Sequence, residues 1–192
     1  YLNRPYGDVW LHLRPMAYTQ HPYRWPTIGK AIGHIEQATL EDVKDFFFTH
    51  YRPENAVLVV AGNVTAGEVK ALSEKWFGDI GPGKRPERQL PKEPAQEVPR
   101  RKEIEQDVPL EALYKVFHMP GRLSTDYHAA DLASDILGRG KSSRLYQQLV
   151  KKEKYFSEIS AYITGSTDPG LLTISGKVMP GITLEAAENA AN

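Results

Sequence analysis

The imidazole side chains are His12, His21, His34, His50, His118 and His128, and no cysteine accompanies them. A helical zinc site needs two ligands on one face, as in His-x-x-x-His, and no pair of these residues has such spacing. His50 continues the apolar face of a helical pattern, while His21 and His34 fall in loop-like sequence, so no zinc site is expected from these residues. The run Gly138-Arg-Gly-Lys-Ser-Ser lacks the G-x-x-x-x-G-K-[ST] spacing of a phosphate loop and follows a helical pattern, which makes it a turn plus a helix cap. No G-x-S-x-G elbow marks a serine nucleophile. The stretch SSRLYQQLVKKEKYFSEISAY, residues 142–162, reads as a Ser-capped amphipathic helix, a turn and the start of a strand. Its cationic run Lys151-Lys152-Glu153-Lys154 suits a solvated helix C-terminus.

Composition bounds the rest. Lys plus Arg and Asp plus Glu number 24 each in 192 residues, so no net field draws the chain to nucleic acid or anionic lipid. Hydrophobic residues at 41% and charged residues at 25% are ordinary for a globular chain. No apolar run is long enough for a membrane span, and no signal-peptide pattern opens the chain. The absence of cysteine excludes disulfides and thiol catalysis but leaves the compartment open. Tyr1 begins in mid-pattern and the last residues stop inside a starting helix, as expected of an internal piece of a longer protein.

The elements that must position any site are readable in part. Thr39 with Asp42, and Thr65 with Glu68, form capping boxes that open two helices. Between these helices lies AVLVVAG, residues 56–62, whose unbroken apolar character predicts a buried interior strand covered by both helices. Residues 82–109 interleave prolines with charges of both signs, predicting an extended linker with few contacts of its own. Beyond it come a strand at EALYKVFHMPG, a helix from about Thr125 to Leu137, and the helix after Ser142. A strand pair around Thr-Asp-Pro-Gly and a last helix from Thr183 follow. Strands and helices mixed without βαβ alternation predict an α+β fold: two partial domains of largely antiparallel sheet, with helices packed on one face.

The ordered set HPYRWPTIG, ATLEDVKDFFFTHYRPENAVLVVAGNV, FHMPG, DYHAADLASDILGRGKSSRLYQQL and SEISAY resembles the pitrilysin/insulinase zinc peptidases (inverzincins). The resemblance implies that residues 1–81 are the C-terminal half of the zinc-peptidase-type domain. Residues 82–109 would be the linker leading into the next domain, and residues 110–192 the N-terminal half of that second, supporting domain. In the family, zinc sits on an inverted His-x-x-Glu-His motif and a later Glu, with the motif's Glu as general base. That motif is absent from this sequence, so zinc is expected in the parent protein and not on these residues. The family also uses an Arg and a Tyr that stabilise transition-state charge. Aligned on SSRLYQQL and SEISAY, these positions fall on Val150 and Ser157, with Tyr155 two residues out of register and needing a bulge to fit. The resemblance therefore implies a zinc metalloendopeptidase that hydrolyses peptides. Its Arg/Tyr pair would come from a partner chain or a later domain, and a bacterial cell envelope or periplasm is its expected location. The alternative it leaves open is a non-catalytic structural or peptide-binding subunit, like the core subunits of the mitochondrial respiratory complex.

Overall fold

In the computed structural model, which describes residues 3–192, the elements in chain order begin with four helices. These are α1 (Val9–Ala17), the single turn α2 (Gly33–Glu36), α3 (Leu40–His50) and α4 (Ala66–Phe77). Then follow β1 (Ala112–Met119), α5 (Asp126–Gly138), a wide helix (Tyr146–Lys152), β2 (Phe156–Ile163), β3 (Gly170–Val178) and α6 (Leu184–Ala190). Two compact units result. Residues 3–26 and 93–192 form one, and residues 27–92 form the other. These units do not follow the sequence boundaries at 81 and 109, because the N-terminal segment lies with the strands that come after the linker.

The first unit is built on an antiparallel sheet in the order β1-β3-β2. Alternate residues of a strand face opposite sides, so the pairing of Val116 with Thr173 and of Phe117 with Leu172 sorts the side chains into two layers. On one side Ile159, Ala161, Ile174 and Val178 pack with Leu149, Phe156 and Ala187. These come from the wide helix, the start of β2 and α6. On the other side Val116 and Leu171 meet Ala17, Tyr18 and Trp10 at α1. Helices pack on the sheet as expected, and α1, which had no clear sequence signature, adds a layer against the other face. The helix α5 seats directly on β2: an added Cβ at Gly138 would lie 1.8 Å from the backbone nitrogen of Ala161. The strands β1, β2 and β3, the helix α5 and the Thr183-capped α6 fall where the sequence places them. The Thr183 hydroxyl accepts from the Ala186 N–H at 3.2 Å.

The second unit keeps its local signals and loses its predicted strand. Thr39 and Asp42 exchange the bonds of a capping box at α3, as do Thr65 and Glu68 at α4. Residues 56–62, however, form no strand; Val57 is 90% exposed and Leu58 60%. Phe46, Phe47, Leu72 and Trp76 on the flanking helices are exposed as well. No described residue between 27 and 92 is buried. The reason is pairing. A strand hides its N–H and C=O groups only against neighbouring strands, and among the described residues every strand belongs to the other unit.

Candidate functional site

The two positions on which chemistry turns, Val150 and Ser157, lie on either side of an irregular connection. Ser143, not Ser142, is buried at the start of the helix, with its hydroxyl donating to the Gly140 carbonyl at 2.8 Å. Gly140 has φ +77, a value that suits glycine, and the Gly-Arg-Gly run is a turn. The helix then widens, with the Glu153 N–H reaching back five residues to the Gln148 carbonyl at 2.9 Å. Such widened turns accommodate one extra residue. Lys154 carries φ +60, and the Tyr155 N–H bonds the Leu149 carbonyl at 2.9 Å, closing the turn into β2.

Val150 packs against the core with Leu145 and Tyr155. Ser157 is the extra residue of a β-bulge, because Phe156 pairs with Val178 and Glu158 with the next residue, Lys177. Its hydroxyl donates to the Lys177 carbonyl at 3.2 Å. The bulge that Tyr155 would need is therefore present, but it displaces Ser157. The Tyr155 ring lies half-buried against the same core, and the Met179 N–H bonds its carbonyl at 2.9 Å. Val150 has no donor to offer a developing negative charge, and the Ser157 hydroxyl is engaged by the Lys177 carbonyl.

The histidines are dispersed. His12 bonds Asp8 at 3.2 Å through Nε2 and accepts from Lys102 Nζ at 3.1 Å through Nδ1. His118 bonds the Ala17 carbonyl at 2.7 Å. His50 stacks beside Phe46 at 4.6 Å between ring centres. His34 and His128 are exposed. Among the described residues no three His, Asp or Glu side chains converge as metal ligands. The residues present do not fit zinc, and no step through a metal follows from them.

The best-built polar cluster surrounds His21, which is 4% exposed. Its Nδ1 accepts from the Tyr23 N–H at 3.2 Å, capping the short turn Pro22–Arg24, and its Nε2 lies 3.6 Å from the Asp168 carboxylate. The Tyr18 and Tyr23 rings lie 6.0 and 4.2 Å from its own, and the His118 ring lies 5.5 Å from that of Tyr18. The Tyr18 hydroxyl donates to the Pro169 carbonyl at 3.0 Å, and burial pushes its pKa up to about 12. A phenol held protonated in this way is a fixed donor, not a base.

Glu93, within the linker, completes the arrangement. Its carboxylate accepts from the successive N–H groups of Thr19, Gln20 and His21 at 2.7, 2.9 and 2.9 Å, and from the Thr19 hydroxyl at 2.7 Å. Desolvation, the largest single influence, opposes ionisation, yet these donors together bring its pKa down to about 2. The linker is thus extended as expected but not free of contacts. Neither Glu93 nor Tyr18 was legible in sequence, since their partners lie more than 70 residues away.

The fold so described is an α+β arrangement of the pitrilysin type. The chain belongs to the peptidase M16 inactive domain family, whose match covers residues 37–192. Over 97% of its length it is 31% identical to a protein named zinc protease PqqE from Helicobacter pylori, covering 42% of that relative. A crystal structure of a protease from Helicobacter pylori superposes with a TM-score of 0.80 at 31% identity, over 97% of this chain and 46% of the other. A peptidase M16 inactive domain from Pseudomonas fluorescens shares the fold at a TM-score of 0.76 and 21% identity, over 94% of this chain and 44% of that one. The chain spans less than half the length of these relatives.

Proposed function

We propose that this chain is a supporting, non-catalytic part of a zinc-dependent metallopeptidase that hydrolyses peptides. The observation that carries the proposal is the packing of Val150 against the core and the bond of Ser157 to the Lys177 carbonyl, at the two positions where an active supporting domain would hold Arg and Tyr. The relative named zinc protease supports the reaction class. In this reading the zinc ligands lie in parts of the protein outside the 192 residues. The Arg/Tyr pair comes from a partner chain or a later domain. Residues 1–81 complete the zinc-peptidase-type domain, 82–109 link it, and 110–192 open the supporting domain, with a bacterial cell envelope or periplasm as the location.

The test uses the longer protein that contains this chain, alone and mixed with an M16 partner from the same cell. Metal analysis after dialysis and a fluorogenic peptide assay are expected to give one zinc and peptide cleavage. Val150→Ala, Ser157→Ala and Tyr155→Phe are expected to leave turnover within about twofold. Donors aimed at transition-state charge are worth about 10²–10³ in turnover, so a hundredfold loss in Tyr155→Phe with unchanged folding would refute the reading. A longer protein that binds no zinc and cleaves nothing, with or without the partner, would instead be a structural or peptide-binding subunit.

A further inference from the structure

The bonds that residues 93–110 make to residues 6–21 follow a strict order. Glu93 holds residues 19–21. Arg100 donates to the Met16 carbonyl. Lys102 then reaches His12, and Gln106 donates to Asp8 at 2.6 Å. Leu110 and Tyr6 exchange two bonds, at 2.7 and 3.2 Å, through the Tyr6 hydroxyl. In these bonds to residues 6–21 one number rises as the other falls, so the two segments run antiparallel and side chains do the bonding, while Arg101 pairs outward with Glu188 of α6. We propose that residues 93–110 form a strap zipped antiparallel onto residues 6–21, locked at its start by Glu93, which keeps α1 seated on the second face of the sheet.

Three further observations support a strap over a loose connector. The lock is a carboxylate saturated by four donors, an arrangement that chance surface contact does not produce. The far end is strained: Tyr6 is a non-glycine residue at φ +61, a conformation that persists only where surrounding contacts over-determine it. Those contacts are the two Leu110 bonds and Lys177, whose ammonium lies 5.4 Å from the Tyr6 ring centre. The segment that the strap holds ends in an apolar seat, formed by Ala17 and Tyr18 against Leu171. The preceding residues, 82–92, belong to the other compact unit, so the strap begins where that unit ends.

Limited trypsin digestion of the full chain tests this proposal. Lys84 and Arg88 precede the strap, whereas Arg100, Arg101 and Lys102 lie on it. Cleavage before the strap is expected at least tenfold faster than cleavage on it. Glu93→Ala is expected to bring the two rates together and to raise amide exchange at residues 19–21 at least tenfold. Glu93→Gln, which keeps one acceptor oxygen, should fall between, and Glu97→Ala, an exposed neighbour on the strap, should match the parent. Should Glu93→Ala unfold, Tyr6→Phe decides by removing only the far bonds; it is expected to speed cleavage at residues 100–102 while β3 amides stay protected. Equal rates at both sets of sites in the parent chain, or no change in either variant, would overturn the strap. No arm reads peptide hydrolysis, so failure of the peptidase reading leaves the result intact.

Discussion

Gly138→Ala separates helix propensity from packing at one atom. Alanine is worth about 0.5–1 kcal/mol over glycine within a helix, so local reasoning expects stabilisation at this last residue of α5. The structure expects the reverse. The new methyl would sit 1.8 Å from the Ala161 nitrogen and 2.5 Å from its Cβ, against an ordinary contact that begins at 3.4 Å. The obstructing atoms cannot swing aside, because Ala161 is paired with Ile174 of the central strand. The helix α5 must therefore lift from β2 by well over an ångström, loosening the packing around the buried Ala161. Overpacking of this kind costs about 1–3 kcal/mol, and a backbone obstacle places the site at the upper end. The net expectation is a loss of about 2 kcal/mol, or roughly 4–8 °C in Tm for a chain of this size. Near-UV circular dichroism through a thermal ramp, with amide exchange of β2 and β3, reads it. Gly67→Ala, in α4 with nothing within 4 Å, is the control and should be neutral or slightly stabilising. A Gly138→Ala protein that melts at or above the parent temperature would show that α5 is not seated on β2 as described.

Phe156→Ala should cost about 3–5 kcal/mol in urea unfolding, because this ring is 1% exposed at the centre of the larger core. Leu58→Ala in this chain should change stability by less than about 0.5 kcal/mol, its side chain being largely in solvent; a large loss would mean that the run at 56–62 is buried after all. Glu93 predicts an acid dependence of known sign. Its folded pKa of about 2 lies below its ordinary 4.5, so its contribution is complete above pH 4.5 and is lost as pH falls toward 2. Acid unfolding followed from pH 7 to pH 2 should be shallower in Glu93→Gln, and identical curves would refute the lock.

The parts that the sequence by itself determined are those whose physics is local. A Thr hydroxyl and an acid three residues on can satisfy each other's N–H groups whatever surrounds them. Both capping boxes, and the Thr183 cap of α6, therefore stand where residue spacing puts them. The alternating strands and the Thr-Asp-Pro-Gly turn are local in the same sense. That Val150 offers no donor was also readable, since no fold can give a valine side chain a hydrogen bond to offer; that the Ser157 hydroxyl is engaged by the Lys177 carbonyl was not. What only the tertiary structure decided depends on partners far along the chain. An apolar run such as residues 56–62 is buried only if strands arrive to pair with it, and among the described residues none does. The wide turn and the bulge at Ser157 arise where a helix and a strand must both fit one core, which no propensity encodes. The linker's hold on residues 6–21 needed the fold to bring Glu93 beside three N–H groups more than 70 residues away. A proline-rich, charged segment looks the same in sequence whether it is free or fastened, because the fastening groups are not its own.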